Sequence, residues 1–328
     1  MSPTPVSPKL TALRRNVALL FASLATVLPS LNSHSESAAT SAAPLVDPTN
    51  PATPVDDKAL ENRWLAALQK LEDEGATFPD GNTLVQQLKS RKTCRLPNPP
   101  RPVHSQPAKS PDWPAFYQNQ MPKTVSVLAR YKCDRCNRWH LRDCGGLVLS
   151  PDGIVATNPH AMNHADSGIS AIALPDGSVF PIVEILAADP TADVAIVRAL
   201  TNGKNLPVPI LRVDAPVGTP IGLISTPADA HYFFTTGIIS RYGFWPYNGQ
   251  RAARMDITAD FARGSSGFPV FDCEGSAVGI VTSTTSFHAD TQNGKKENLQ
   301  MVFKHCVPMR SILRLIEGSL SDAARQQP

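Results

Sequence analysis

Residues 145–160 read GGLVLSPDGIVATNPH, and the fold prediction rests on the pattern within this stretch. Residues 146–149 and 154–157 are short runs of apolar and β-branched side chains. Between them, Pro151-Asp152-Gly153 has the composition of a tight turn. The stretch therefore predicts a β-hairpin, with His160 just beyond its second strand.

Short β-type runs separated by turn residues continue on both sides of this hairpin, from Lys123 to about residue 306. The first group is 125–131, 146–149, 154–157, 172–174, 179–186 and 194–197. The second group is 210–213, 220–225, 233–240, 255–258, 268–271, 278–283 and 299–303. Two groups of about six strands, with no helical pattern between them, predict an all-β fold of two antiparallel barrels. We place the barrels at about 123–200 and 206–306, with a closing C-terminal helix at 307–316.

The residues before the strands have a different composition. Arg14 and Arg15 precede an apolar run at 17–28 that is too short to span a bilayer, which is typical of an export signal. We predict a signal peptide at 1–33 and a disordered linker at 34–55. A helical accessory segment at 56–92 and a proline-rich linker at 93–114 follow, and the barrel domain spans 115–320. The mature protein is then periplasmic or extracellular, without a stable membrane span.

The overall composition is that of a globular protein, because 42% of the 328 residues are hydrophobic and 18% are charged. The net charge of +3 gives no reason to expect binding to nucleic acid or to an anionic membrane. Six cysteines are too few for a disulfide-based scaffold in a chain of this length.

Gly264-Ser265-Ser266-Gly267-Phe268-Pro269 separates two predicted strands. A serine in a tight glycine turn can present its hydroxyl beside free backbone N–H groups, which would stabilise an oxyanion. The alternative is an ordinary flexible loop, because Gly-Ser-Ser-Gly is also common in linkers.

Three segments together resemble the trypsin-like serine proteases, in particular their bacterial HtrA/Deg branch. Residues 145–160 resemble the histidine region of that family, 189–197 the aspartate segment, and 264–269 the nucleophile motif. The resemblance covers about residues 123–316 and implies a double β-barrel with the active site between the barrels. No PDZ domain is expected after the barrels.

The resemblance implies a catalytic triad of His160, Asp193 and Ser266. It also implies an oxyanion hole formed by the N–H groups of Gly264 and Ser266, and a role for Thr282 in supporting the aspartate. Two departures from the family pattern stand out. Phe268 replaces a glycine and could crowd the cleft, and Ser265 replaces the aspartate with which trypsin binds its new N-terminus.

Other residues could take the same roles. His164 is an alternative to His160, and Asp189 is an alternative to Asp193, although the apolar strand begins directly after Asp193. A different hydrolase fold would use Ser266 with Asp290 and His305. We reject that fold because it requires a glycine at position 268 and a parallel sheet.

Four residues are candidates for binding substrate. Asp260 has the spacing from Ser266 at which trypsin places the carboxylate of its specificity pocket, which would favour Arg or Lys. The pocket wall is predicted to be Thr282-Ser283-Thr284, where a β-branched Thr284 would narrow the entrance and favour small aliphatic residues. Alternatively, Asp260 is a solvated loop residue. The steric effect of Thr284 favours the small-residue prediction.

The cysteines leave several possibilities open. Cys133, Cys136, His140 and Cys144 could supply four ligands to a structural zinc ion. A disulfide between Cys133 and Cys136 competes in an exported protein, and free thiols are the third possibility. No cofactor is expected to be required for catalysis.

The sequence thus predicts an exported bacterial serine endopeptidase that hydrolyses protein or peptide substrates through an acyl-enzyme intermediate. The alternative is a pseudoprotease, a protein-binding module in which Phe268 blocks the cleft.

Overall fold

A computed structural model of the chain describes residues 53–104, 110–133, 135–162, 167–247, 249–292 and 294–321. The predicted signal peptide, most of the predicted linker at 34–55, and His164 lie outside these ranges. No helix in the described ranges is both long enough and apolar enough to cross a membrane.

The predicted accessory segment forms two helices, α1 (Asp57–Asp73) and α2 (Gly81–Ser90). The side chains of Asp56 and Asp80 cap their N-termini by accepting backbone N–H groups. Apolar residues four positions apart bury one face of each helix: Leu60, Trp64 and Leu68 on α1, and Leu84 and Leu88 on α2.

The predicted proline-rich linker pairs with the rest of the domain through its backbone at two places. It contains the two-residue strand β1 (Cys94–Arg95) and an isolated parallel bridge between Val103 and Arg212. Helix α3 (Trp113–Gln120) then leads into the first barrel, with Asp112 as its N-cap.

The first barrel contains β2 (Thr124–Lys132), β3 (Trp139–Ser150), β4 (Ile154–Thr157), β5 (Ser167–Ala173), β6 (Val179–Asp189) and β7 (Val194–Ala199). The short helix α4 (Pro159–Met162) follows β4. The closed order is β2-β3-β4-β7-β6-β5, and every pair is antiparallel. The apolar face of α2 packs with the barrel interior, and that of α1 packs against Leu128 and Ile169.

The second barrel contains β8 (Pro220–Ser225), β9 (Phe233–Tyr247), β10 (Gln250–Ile257), β11 (Pro269–Asp272), β12 (Ala277–Gln292) and β13 (Lys295–Pro308). These strands close in the order β10-β13-β12-β11-β8-β9. Two closed six-stranded barrels confirm the predicted fold class. Residues 210–213, predicted as a strand, form only isolated bridges, at Leu211 and Arg212.

The C-terminal helix is shorter than predicted. Helix α5 spans Met309–Leu313, because Val307 still pairs with Ile280 in the sheet and Pro308 takes the N-cap position. Ile316 belongs to the two-residue strand β14 (Ile316–Glu317), which pairs in parallel with β1. The apolar residues at the chain end therefore reflect burial between the barrels and not a longer helix.

The two barrels touch closely where β3 meets the turn before β11. The Gly145 N–H donates to the Ser266 carbonyl at 2.6 Å. A Cβ atom at Gly145 would lie 2.1 Å from the Phe268 nitrogen, so only glycine permits this approach. The contact places the glycine-serine turn directly beside the histidine region.

Candidate active site

His160 lies in α4, immediately after the last residues of β4. Its Nδ1 donates toward both carboxylate oxygens of Asp193, at 3.0 Å each. The imidazole is 44% exposed, whereas the Asp193 side chain is 2% exposed. The structure thus pairs an accessible imidazole with a buried carboxylate, an arrangement that orients the ring.

Asp193 occupies a strained turn between β6 and β7, with a φ of 62°. The neighbouring Asp189 shapes this turn by accepting the N–H groups of Thr191 and Ala192. Asp189, the alternative aspartate, therefore has a structural role. Two further groups hold Asp193: the Thr282 hydroxyl donates to its Oδ2 at 2.5 Å, and Asn158 donates to its carbonyl at 2.7 Å.

The second barrel also reaches over to this turn through the hairpin of β9 and β10. Arg254 is 1% exposed and donates to the carbonyls of Ala192 and Thr191 at 3.0 and 3.3 Å. Its guanidinium lies 4.8 Å from the ring centre of Tyr247. Burial, together with the charge of Asp193 and a hydrogen bond to it, raises the pKa of the Tyr247 phenol.

No sequence pattern predicts a role for Asn158, Tyr247 or Arg254 at this site. Tyr247 and Arg254 lie 54 and 61 residues after Asp193 and reach it only through the pairing of the two barrels. Asn158 lies between β4 and His160, within the stretch that resembles the histidine region of the trypsin-like proteases, but the resemblance implies no role for it.

The glycine-serine turn has a fixed conformation. Gly264 and Gly267 have φ angles of +98° and +81°, and a Cβ on either would meet a carbonyl oxygen at 2.2 or 2.1 Å. Backbone hydrogen bonds from Ser265 to Ala262 and from Gly267 to Val281 tie the turn down. A flexible linker would lack both features, so this alternative does not fit the structure.

Ser266 is half-buried, and its hydroxyl donates to the Thr282 carbonyl at 3.2 Å. Within the described ranges, no hydrogen bond joins this hydroxyl to His160. The N–H groups of Gly264 and Ser266 likewise have no acceptor among the described residues. An oxyanion hole requires backbone donors that are not engaged within the protein.

A model of a known protein family matches the region that contains these residues. The family model described as "Trypsin-like peptidase domain" matches residues 144–280, which contain His160, Asp193 and Ser266. The chain contains a trypsin-like peptidase domain.

The curated relatives of this peptidase domain are named as serine endoproteases. The chain is 28% identical over 214 residues to a probable periplasmic serine endoprotease DegP-like of Ectopseudomonas mendocina, covering 62% of the chain and 44% of that protein. It is 30% identical over 191 residues to the serine endoprotease DegS of Salmonella typhimurium, covering 57% and 51%. The DegS of Escherichia coli K12 is 29% identical over 207 residues, covering 61% and 55%. The chain spans about half the length of these relatives.

Ser266 and His160 share a cleft of ≈ 540 Å³ on the surface of the peptidase domain. Most of its lining comes from the first barrel: Val127, Tyr131, Leu141, Arg142, Asp143, Cys144 and Ala161. Phe268 does not line it. The phenyl ring is 2% exposed and packs in the core of the second barrel, so the expectation that Phe268 crowds the cleft is wrong.

Asp260 does not form a buried specificity carboxylate in the peptidase domain. Its side chain is 86% exposed, and one oxygen lies 3.3 Å from the Lys304 ammonium, which also donates to the Phe261 carbonyl. The alternative of a solvated residue describes Asp260 correctly. Thr282, Ser283 and Thr284 follow one another on β12, but their exposure differs: Thr282 is buried, Ser283 half-buried and Thr284 exposed.

The cysteine ligand set is smaller than predicted. Cys133, Cys136 and His140 have ligand atoms within 4.8 Å of one another. Cys144 lies four residues further along β3, about 13 Å at the rise of a strand. Its sulfur packs near Thr157, and burial raises the pKa of this thiol to about 12. Cys144 is therefore not part of the cluster.

The residues of the rejected hydrolase arrangement do not meet Ser266. The Asp290 carboxylate accepts a hydrogen bond from Asn298 on the exposed hairpin of β12 and β13. His305 is buried in the second barrel, where its Nδ1 lies 2.7 Å from Asp256 and its Nε2 lies 3.0 Å from the Thr285 hydroxyl.

Proposed function

We propose that the chain is an exported serine endopeptidase in which His160, Asp193 and Ser266 act as the catalytic triad. The observation that carries this proposal is the placement of Ser266 in one cleft with the His160–Asp193 pair. The first barrel supplies the base and its orienting carboxylate, and the second barrel supplies the nucleophile.

In the proposed reaction, the Ser266 hydroxyl attacks the scissile carbonyl while His160 Nε2 accepts its proton. This step requires a rotation of the Ser266 side chain away from the Thr282 carbonyl, a change of one staggered side-chain torsion. His160 then donates the proton to the leaving amine, and a water molecule hydrolyses the acyl-enzyme by the same route.

Two parts of the site stabilise the charges that develop. The N–H groups of Gly264 and Ser266 would bind the oxyanion, and each such donor contributes about 2.7–4 kcal/mol in enzymes of this kind. The Asp193 carboxylate would stabilise the imidazolium, while Thr282, Asn158 and the hairpin of β9 and β10 keep the carboxylate in place.

The burial of Phe268 bears on the alternative of a pseudoprotease. That alternative relied on a phenyl ring blocking the cleft, and the ring lies in the barrel core. Because the cleft is open and is lined by both Ser266 and His160, turnover is the better proposal. No cofactor is required for these steps.

Protein or peptide substrates follow from the peptidase domain. We propose cleavage after small aliphatic residues, because Lys304 already pairs with the Asp260 carboxylate and because the pocket wall predicted from the sequence includes the β-branched Thr284. We further propose a periplasmic location, which the predicted export signal supports and which matches the names of the DegP-like relatives.

Labelling with a fluorophosphonate probe tests the proposed nucleophile. The wild-type chain should become covalently labelled, and Ser266→Ala should not. Ser265→Ala is a matched control, because this neighbouring hydroxyl is buried without a hydrogen-bond partner among the described residues. A folded wild-type protein that resists labelling would support the pseudoprotease, and equal labelling of Ser266→Ala would exclude Ser266.

A further inference from the structure

The hairpin that joins β2 to β3 carries two cysteines at its turn. The Cys133 N–H donates to the Arg138 carbonyl, and the Asn137 N–H donates to the Cys133 carbonyl. Asn137 closes the turn in the left-handed region, with a φ of 53°. These bonds fix the backbone on which Cys133 and Cys136 stand.

A histidine from the following strand faces these cysteines. His140 Nε2 lies 3.0 Å from the Cys136 sulfur. The imidazole stacks on Tyr131, with ring centres 5.8 Å apart, and the Arg142 guanidinium covers the ring of Tyr131 at 3.7 Å. The strand pairing of Tyr131 with His140 therefore holds the imidazole with Nε2 toward the turn.

We propose that Cys133, Cys136 and His140 bind a zinc ion, with a fourth position open to solvent. Two thiolates and one imidazole are the donors that zinc prefers, whereas calcium and magnesium prefer oxygen ligands. Bond lengths of about 2.3 Å to sulfur and 2.0 Å to nitrogen place tetrahedral ligands about 3.5–3.8 Å apart. Ligand atoms already within 4.8 Å of one another reach this geometry with small side-chain rotations.

A disulfide between Cys133 and Cys136 is the competing fate of the two thiols. Both cysteines are free in the structure. A disulfide would leave the position of His140 unexplained, since it needs no third group. Zinc uses all three side chains, and the exposure of Cys136 and the half-burial of Cys133 and His140 leave a path for the ion to enter.

The bound ion would restrain one rim of the active-site cleft. Tyr131 and Arg142, which stack on each other beside His140, both line the cleft that contains His160 and Ser266. Zinc would hold the turn between β2 and β3 against His140 on β3. Its binding does not depend on the activity proposed above.

Metal content of the purified chain tests this site directly. After reduction, incubation with Zn²⁺ and removal of excess metal, we expect about one zinc ion per chain. Cys136→Ser and His140→Gln should each lower the zinc content at least about tenfold. Cys273→Ser, which removes a half-buried cysteine beyond β11, should retain the ion.

A second measurement uses only the wild-type chain, so it does not require the variants to fold. Co²⁺ added to the reduced wild-type chain should give the absorption of tetrahedral thiolate-bound cobalt, and Zn²⁺ should abolish it. No cobalt spectrum, together with a zinc content below about one tenth per chain, would overturn the proposal. So would an unchanged zinc content in Cys136→Ser, or a Cys133–Cys136 disulfide that persists after reduction.

Discussion

The two barrels share a strand number and a topology, but they are stabilised in different ways. The first barrel is covered by α1 and α2, whose apolar faces pack on its strands and into its interior. The second barrel contacts the shorter helices α3 and α5, and its strands are extended: β9, β12 and β13 are 15, 16 and 14 residues long. Beyond the barrel, the hairpin of β12 and β13 exposes Phe287, Leu299 and Met301.

The two barrels also contribute different residues to the proposed active site. The first barrel supplies His160 and Asp193, and the second supplies Ser266. The second barrel also braces the first through Arg254 and Thr282, which both bond to the aspartate turn. The site therefore forms between the two barrels. Substitutions can test the contribution of each barrel separately.

Removing the proposed nucleophile, which lies in the second barrel, should have the largest effect. We expect Ser266→Ala to lower kcat by a factor on the order of 10⁶, because the remaining groups then have no attacking atom to activate. Hydrolysis of casein by purified protein measures this loss. Wild-type cleavage by Ser266→Ala would show that the second barrel does not supply the nucleophile.

Removing the largest side chain beneath the first barrel should destabilise the fold. Trp64 on α1 is 0% exposed, and Trp64→Ala should lower the free energy of unfolding by about 3–5 kcal/mol. Urea denaturation provides the measurement, and Trp139→Ala, where the ring is 44% exposed, is the control. Equal effects of the two substitutions would mean that α1 does not stabilise the barrel.

Removing the brace between the barrels should affect turnover more than substrate binding. We expect Arg254→Met to lower kcat by about 10- to 100-fold with a small change in KM, because the aspartate turn loses two hydrogen bonds and shifts. Arg254→Lys should restore part of kcat by supplying one donor.

Arg251 on the same hairpin provides the control for Arg254. Its exposed side chain packs near Phe244, away from the aspartate turn, so Arg251→Met should keep wild-type kcat. A rise in KM with unchanged kcat in Arg254→Met would contradict a positioning role.

A buried histidine connects the N-terminal arm to the first barrel and should make this connection sensitive to pH. His231 Nδ1 lies 2.9 Å from Asp57 of α1, and Nε2 lies 3.4 Å from Asp143 of β3. Burial lowers the pKa of His231, but the two carboxylates raise it more, so the pKa lies above its ordinary value of 6.5.

A raised pKa in the folded state means that the protonated histidine stabilises the fold. This contribution is fully present below a pH of about 6.5 and is lost as the pH rises through the higher folded-state pKa. The difference in unfolding free energy between wild type and His231→Gln should therefore shrink as the pH rises above about 6.5. A difference that is constant over this range would contradict the ion pairing.

Asp260 of the second barrel should have the smallest effect. Because its carboxylate is exposed and paired with Lys304, we expect Asp260→Ser to leave cleavage preferences in a peptide library unchanged, with small aliphatic residues favoured before the scissile bond. Dominant cleavage after Arg or Lys that Asp260→Ser abolishes would reverse this expectation.

The sequence alone determined the parts of this protein that depend on local pattern. Alternating apolar runs and turn residues predicted the barrel strands, because side-chain alternation in a strand follows directly from residue order. The segments around His160, Asp193 and Ser266 were recognisable for a similar reason, since each is a short contiguous stretch with its own turn chemistry. The helices around Trp64 and Leu84 followed from helical spacing.

Only the tertiary structure decided what lies between distant segments. The approach of Gly145 to Phe268, the bracing of Asp193 by Arg254, and the pairing of Asp260 with Lys304 all join residues at least 44 positions apart. Residue order contains no direct record of such distances, because they depend on how two closed barrels pack. For the same reason Phe268 could be counted as an obstruction from the sequence, while the fold places it in the core.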